Sequence, residues 1–294
     1  MSSINSDRNF PICYEAFGEP SKPCVIFVAG ITGQLISWPD SIIHDLVNAG
    51  FYVVTYDHRD VGLSCYYDHL DTPPLSAVIT ALQQGKPFNA PYTLNEMAHD
   101  IVILMDQLTV SKAHIVGISM GGQIAQIFAI EHPDRILSLT CIATSSGDPE
   151  LPPPNPEVID FFFKPAADSN DFDSLVDRHV AQYKLYNHPD DFDLEATKAL
   201  HKKAYQRAYH PEGNQRHLLA MISASPRGER LQSVEVPSLI IHGDFDPVFS
   251  VEHGEQLSVC LHNSQLEIIE NMGHGIPDRI HQQLIELMKN HFST

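Results

Sequence analysis

The sequence is short of basic residues and of long apolar runs. Lys and Arg total 18 against 37 Asp and Glu, which gives a formal charge of −19 over 294 residues. A surface this acidic repels phosphate backbones and anionic lipid headgroups, so we predict no nucleic-acid partner and no membrane partner. The apolar run 24–31 is too short to span a bilayer, and the polar residues 1–10 show no apolar signal-peptide core. We therefore expect a soluble, cytoplasmic protein.

Cysteine is also scarce, and its spacing is not that of a disulfide framework. The five cysteines are an odd number without a Cys-x-x-Cys motif, so we predict reduced, buried thiols. They are Cys13, Cys24, Cys65, Cys141 and Cys260. The 17 histidines are scattered without the tight spacing of a zinc site, and we therefore predict no metal.

Six short runs of apolar and β-branched residues predict buried strands. Their apolarity is continuous rather than alternating, which is typical of strands covered on both faces in a parallel sheet. The runs are residues 24–29, 51–56, 114–118, 137–143, 238–242 and 265–269. Helical patterns separate them: one begins at a capping box formed by Thr93 and Glu96, and another ends before Pro133. This alternation predicts an α/β fold with a doubly wound, mostly parallel sheet.

One segment, residues 146–230, interrupts the alternation. It opens with a proline-rich stretch and continues with helical patterns at 172–186, 194–208 and 215–224, with no convincing strand among them. A helical insertion between two strands of a sheet predicts a cap or lid. We therefore divide the chain into a first core part (1–145), a cap (146–230) and a second core part (231–294).

The motif Gly117-Ile118-Ser119-Met120-Gly121 lies between an apolar strand pattern and a helical one. A nucleophilic serine needs such a sharp strand-to-helix turn, which lifts its hydroxyl above the sheet, and the flanking glycines relieve the crowding there. The amide of Met120, at the start of the helix, is a candidate donor to a developing oxyanion. The alternative is a structural glycine turn.

A serine hydroxyl needs a base that is oriented by an acid, expected along the chain in the order serine, acid, histidine. We predict Asp246 as the acid, because it lies well into the loop after a strand and Pro247 stiffens its backbone. Asp244 is the second candidate, expected instead to cap its own turn. Asp148, after the preceding strand, is the third.

The predicted base is His274, which lies between two glycines on the loop after the last strand. A histidine in this setting is poorly suited to fill a core and well suited to reach across the sheet edge toward Ser119. The alternative is a solvated loop histidine.

The loop after the first central strand is expected to supply a second oxyanion donor. We predict the backbone amide of Ile31 for this role, with Gly30 allowing the substrate to approach closely; a simple glycine-rich turn is the alternative. Trp38, the single tryptophan, either lines the substrate pocket or packs at the start of a helix. The stretch 57–64 follows another strand, and we expect Asp57 and Arg59 to hold its turn by charge-assisted hydrogen bonds.

These segments, in this order, resemble the α/β-hydrolase family: Gly30-Ile31, residues 56–60, residues 117–122, residues 242–247 and Gly273-His274. Within that family, Trp38-Pro39, residues 56–60 and Met272-Gly273-His274 resemble the aclacinomycin methylesterase group. The resemblance implies an α/β-hydrolase fold with a helical cap inserted after the sixth strand. It also implies ester hydrolysis through an acyl-serine intermediate, with no cofactor. Ala29-Gly30 replaces the His-Gly of many relatives, a change that leaves the backbone donor at Ile31 in place.

The predicted function is that of a serine carboxylic-ester hydrolase acting on small to medium esters, with a small molecule as its partner. The same triad serves lactone, carbon–carbon bond and amide (iminopeptidase-like) hydrolysis, which stay open as alternatives. A non-catalytic ligand receptor with hydrolase geometry is the alternative from another class. A serine at position 119 argues against haloalkane dehalogenases and epoxide hydrolases, which use an aspartate there.

Overall fold

A single sheet lies at the centre of the computed structural model, which describes residues 12–163 and 171–293 and the backbone of Ser3–Ile4. Its strands are β1 (Ser3–Ile4), β2 (Tyr14–Phe17), β3 (Cys24–Val28), β4 (Tyr52–Tyr56), β5 (Ala113–Ile118), β6 (Ile136–Ile142), β7 (Ser238–Gly243) and β8 (Ser264–Ile269). They lie in the order β1-β2-β4-β3-β5-β6-β7-β8. β2 pairs antiparallel with β1 and β4, and every pair from β4–β3 to β7–β8 is parallel. The predicted doubly wound, mostly parallel sheet is confirmed. Most of the polar stretch 1–10 and residues 164–170 of the predicted cap lie outside the described residues.

The described residues form eleven α-helices, none of which is long and apolar enough to cross a membrane. The helices are α1 (Asp40–Asn48), α2 (Leu75–Gln83), α3 (Leu94–Gln107), α4 (Met120–Glu131), α5 (Pro156–Phe163), α6 (Phe172–Tyr186), α7 (Leu194–Arg207), α8 (Pro211–Ile222), α9 (Gly228–Leu231), α10 (Val251–Cys260) and α11 (His281–Phe292). The predicted capping box begins α3: the Thr93 hydroxyl accepts from the Glu96 amide at 3.3 Å, and the Glu96 carboxylate accepts from the Thr93 amide at 2.8 Å.

Both faces of the sheet are covered by helices. On one face, Ile26 of β3 joins a buried cluster with residues of α3 and α4, such as Ile101 and Phe128. On the other face, Val25 joins a cluster with residues of α1 and α11, such as Leu46. Successive side chains of a strand point to opposite faces, so a strand buried on both faces must be apolar at every position. This is why the strands appear in the sequence as continuous apolar runs.

A helical insertion separates β6 from β7. Its described residues contain five α-helices, α5 to α9, one short 3-10 helix and no strand. The patterns predicted at 172–186, 194–208 and 215–224 correspond to α6, α7 and α8, of which α8 begins earlier because Pro211 occupies its first turn. Buried ion pairs join this insertion to the core: Arg207 contacts Asp57 at 2.8 Å, and Arg216 contacts Asp60 at 2.8 Å.

The loop after β4 is held by charged side chains, as expected, but Asp57 and Arg59 do so through different partners. The Asp57 carboxylate accepts from the backbone amides of Leu35 and Leu63 and from Arg207. Arg59 donates instead to both oxygens of Asp100 on α3, at 2.7 and 2.8 Å.

The five cysteines are free, and four of them are buried as predicted. Cys65 corrects that prediction because it is exposed. It lies in the loop that follows β4 and not in a strand, so neither face of the sheet covers it.

Candidate active site

Ser119 lies in the turn between β5 and α4 with φ +55° and ψ −122°. Residues other than glycine rarely adopt a positive φ, and such a strained turn is often found at functional sites. Two glycines make the turn sterically possible: a Cβ on Gly117 would overlap the carbonyl oxygen of Gly121, and a Cβ on Gly121 would overlap that of Val28. The predicted sharp strand-to-helix turn is therefore present.

Three predicted residues from distant parts of the chain are joined by two consecutive hydrogen bonds. The Ser119 hydroxyl lies 2.9 Å from Nε2 of His274, and Nδ1 of His274 lies 2.8 Å from Oδ2 of Asp246. The other carboxylate oxygen of Asp246 accepts from the amides of Val248 and Phe249, at 2.8 and 3.0 Å. These distances are those expected of a nucleophile, a base and an orienting acid.

The electrostatics keep Asp246 ionised inside the protein. Burial acts to raise the pKa of Asp246, but the charge and hydrogen bond of His274 and the backbone donors outweigh it, so the pKa lies below its ordinary value. His242, completely buried, has its Nε2 2.7 Å from the carbonyl oxygen of Phe249 on the same loop. Burial lowers the pKa of His242, so its ring is neutral and donates this bond. Sequence reasoning missed His242 as a support of the acid loop, because it ends a strand and has the pattern of a core residue.

The two alternative acids have other partners. Asp148 accepts from the Ser146 hydroxyl and from the Gln256 amide, both at 2.6 Å. Asp244 was expected to cap its own turn, and this was wrong: its carboxylate accepts from the backbone amide of Asn271 at 2.6 Å. The reason is tertiary packing, since Gly243 lies directly against Met272 and brings the two loops together.

The predicted oxyanion residues lie beside Ser119. Met120 is the first residue of α4, where a backbone N–H has no intrahelical acceptor. Gly30 is so close that a Cβ there would lie 3.4 Å from the Cβ of Ser119. Gly30, Ile31 and Ser119 all border one cavity, which is described below. Trp38 both borders that cavity and packs against Phe27, with ring centroids 4.6 Å apart.

A cavity of about 610 Å³ opens above Ser119 and His274. This volume is within the range of small-molecule sites. The core contributes the predicted residues and their loops, and the helical insertion contributes aromatic, imidazole and amide side chains. Those of α6 and α7 are His179, Gln182, Tyr183, Tyr186, His201 and Tyr205.

One group of side chains in the described part of the chain has the spacing of a cation site: Asp60, Asp68 and His210. The guanidinium of Arg216 already lies between its carboxylates, donating to Asp60 at 2.8 Å and to Asp68 at 2.7 Å. The guanidinium thus compensates part of the negative charge there, and the cluster holds the insertion to the core.

The sequence matches the model of the alpha/beta hydrolase fold over residues 23–278. The chain belongs to the alpha/beta hydrolase fold family. This alpha/beta hydrolase is 29% identical over 290 residues to the rhodomycin D methylesterases DauP of Streptomyces sp. (strain C5) and DnrP of Streptomyces peucetius. Each alignment covers 92% of this chain and 91% of the relative. The predicted resemblance to a methylesterase group is thereby confirmed.

A solved structure of a hydrolase from Pseudomonas aeruginosa PA01 is similar to this alpha/beta hydrolase, with a TM-score of 0.72. The match covers 100% of this chain and 98% of that chain, at 20% sequence identity. At this level of identity the likeness supports the fold alone.

Proposed function

We propose that the protein is a serine hydrolase that cleaves carboxylic esters, with Ser119 as nucleophile, His274 as general base and Asp246 as the orienting acid. The observation that carries the proposal is the continuous line from Ser119 through His274 to Asp246, with separations of 2.9 and 2.8 Å, beside a cavity of about 610 Å³. The two related methylesterases support an ester as the bond that is cleaved.

The reaction begins when His274 takes the proton of the Ser119 hydroxyl and the oxygen attacks the ester carbonyl. The backbone amides of Ile31 and Met120 stabilise the resulting oxyanion, and Asp246 stabilises the imidazolium. Collapse of the tetrahedral intermediate breaks the ester C–O bond, and His274 returns its proton to the departing alcohol. A water molecule, deprotonated by His274, then attacks the acyl-serine, and the acid leaves with Ser119 restored.

We further propose that residues 146–230 form a cap that selects the substrate, between core parts 1–145 and 231–294. The wall that α6 and α7 supply is mostly aromatic and polar, and Lys203 is the one described residue on it that carries a fixed charge. Burial lowers the pKa of His179, and it lowers that of His201 to about 3, so both rings are neutral at the pH of the cytoplasm. Such a wall favours an ester with an aromatic or polar acyl part. A methyl ester is the first candidate, since both relatives are named as methylesterases.

The test is hydrolysis of p-nitrophenyl and methyl esters of increasing acyl size by the purified protein, with Ser119→Ala beside it. Loss of a triad serine costs about a millionfold in turnover, so Ser119→Ala is expected to be inactive. Ser76→Ala, at an exposed serine of α2, is the matched control and should retain full activity. Activity that survives Ser119→Ala would contradict the assigned nucleophile. Serine-dependent cleavage of lactones but of no open ester would move the assignment to a lactonase on the same triad.

The pH dependence tests the base separately. The rate should decline on the acidic side, because a protonated His274 cannot accept the serine proton. A rate that stays constant from about pH 9 to about pH 5 would contradict His274 as the base.

The cytoplasmic location stays a prediction of the sequence.

A further inference from the structure

The loop that carries His274 is held from the side of the helical insertion. At the C-terminal end of α6, the carbonyl oxygen of Tyr186 accepts from the backbone amide of His274 at 2.8 Å. The next residue, Asn187, accepts from the amide of Gly275 at 2.9 Å through its side-chain oxygen. Two consecutive amides of the loop are therefore bonded to two consecutive residues of the insertion.

Asn187 is itself fixed. It is 4% exposed, and both its backbone amide and its side-chain nitrogen donate to the carbonyl oxygen of Tyr183, at 3.1 and 3.0 Å. The side-chain oxygen is therefore presented to Gly275 in one orientation, since rotation of the amide would place two donors against each other.

The glycines on either side of His274 fit this contact. A Cβ on Gly273 would overlap the carbonyl oxygen of Tyr186, and one on Gly275 would lie 2.7 Å from the side-chain oxygen of Asn187. The sequence suggests that these glycines allow a loop to reach Ser119. The structure adds a second reason for them: they let the loop lie directly against the end of α6.

We propose that Asn187 is a positioning residue that holds the backbone of His274 so that Nε2 faces the Ser119 hydroxyl. The inference rests on the proposed function, in which His274 is the base. It makes the helical insertion part of the catalytic arrangement as well as a wall of the substrate cavity. Asn187 also borders the cavity of about 610 Å³, so a positioning role must be separated from a substrate contact: the first lowers kcat, and the second raises KM.

Two substitutions with side chains of nearly equal size test the role of the Asn187 side-chain oxygen as a hydrogen-bond acceptor. Asn187→Leu removes the oxygen that Gly275 needs. Asn187→Asp keeps an acceptor there, but it replaces the donor to Tyr183 with a carboxyl oxygen that faces the Tyr183 carbonyl. Misplacement of a reacting group by about 1 Å can cost about a hundredfold, so Asn187→Leu is expected to lower kcat about 100-fold. Asn187→Asp should recover most of that loss, within about tenfold of the parent. KM should change by less than about twofold in both, because a positioning residue acts on the orientation of the imidazole; a rise in KM without a fall in kcat would instead indicate a substrate contact.

Asp171→Ala provides the control. Asp171 caps the other end of the same helix by accepting from the Asp173 amide at 3.1 Å, so its loss weakens α6 without reaching His274. We expect unchanged kcat for this variant. Equal kcat in Asn187→Leu and the parent, or equal losses in the Leu and Asp variants, would overturn the proposal.

A second readout does not depend on turnover. The proton shared by Nδ1 of His274 and Asp246 should give a low-field ¹H resonance, which Asn187→Leu is expected to broaden or abolish and Asp171→Ala to leave in place. If the parent cleaves no ester but this resonance responds to Asn187, the proposed function fails and the positioning role stands. If the parent is active and the resonance of Asn187→Leu is unchanged, the positioning role fails alone. If Asn187→Leu does not fold, Asn187→Ser is measured against Asn187→Asp in the same two ways.

Discussion

Removal of the Asp57 carboxylate is expected to destabilise the protein more than the loss of any surface ion pair. Its side chain is completely buried and accepts from the amides of Leu35 and Leu63, at 2.8 and 2.9 Å, and from Arg207 at 2.8 Å. Asp57→Ala leaves these donors without their acceptor. One of them belongs to the chain segment that follows the predicted oxyanion loop, and another to the helical insertion.

The size of the effect can be worked from these contacts. Breaking a buried ion pair by removing one partner costs about 3–5 kcal/mol, and an unpaired buried amide costs about 1–3 kcal/mol. The terms do not add fully, because Arg207 keeps a hydrogen bond to the side-chain oxygen of Gln34 at 2.8 Å. We therefore expect Asp57→Ala to lower the free energy of unfolding by about 4 kcal/mol. Asp57→Asn, which keeps one acceptor, should cost about half as much.

Urea unfolding followed by tryptophan fluorescence measures this change. Trp38 is the single tryptophan and is 4% exposed, so its emission reports the loss of the core around it. The comparison is Asp106→Ala, which breaks an ion pair of Arg135 in which the aspartate is 65% exposed. Exposed pairs contribute about 0–1 kcal/mol. If Asp57→Ala were no more costly than Asp106→Ala, the interpretation of Asp57 as an anchor between core and insertion would be wrong.

Three further predictions test other parts of the fold. Gly121→Ala should abolish activity and lower stability, because the new methyl group would overlap the carbonyl oxygen of Val28; full activity would refute the steric account of the turn. His242→Phe should lower kcat about tenfold with little change in KM, because the acid loop loses the bond to Phe249, and an unchanged kcat would argue against that support. Burial lowers the pKa of His114 from 6.5 to about 4, so the unfolded chain binds a proton that the native state excludes. The free energy of unfolding should therefore fall by about 2 kcal/mol per such histidine between about pH 8 and pH 5, and urea titrations of His114→Phe should show a smaller fall.

The parts of the site that the sequence could predict are those governed by local geometry. The turn at Ser119 is marked by glycines two positions away on either side, so the pattern Gly-x-Ser-x-Gly was enough to find it, although the carbonyl that excludes a Cβ at Gly121 belongs to Val28 of β3. Asp246 and His274 each follow a strand, and the carboxyl ends of neighbouring parallel strands meet at one edge of the sheet. The expected chain order of serine, acid and histidine therefore predicted which loops would meet.

The contacts that each aspartate makes were harder to predict from the sequence. Asp244 and Asp246 are two positions apart, and only the packing of Gly243 on Met272 directs the first toward Asn271 and the second toward His274. Sequence reasoning also did not find β1, β2, α2, α5, α9 or α10, and of α1 it offered only a start near Trp38. These elements are short, and short elements depend on tertiary packing more than on their own periodicity.

The sequence by itself thus determined the α/β class, the helical insertion, the strained serine turn and the chain order of the three aligned residues. These features follow from interactions between near neighbours and from the repeat of buried and exposed positions. Only the tertiary structure decided that Arg207 and not Arg59 pairs with Asp57, that His242 supports the acid loop, and that Asn187 holds the loop of His274. The first and third of these contacts join residues 150 and 88 positions apart in the chain, and the second joins the end of β7 to the folded loop that follows it. No local pattern encodes them, because each partner is selected by which surfaces the fold brings into contact.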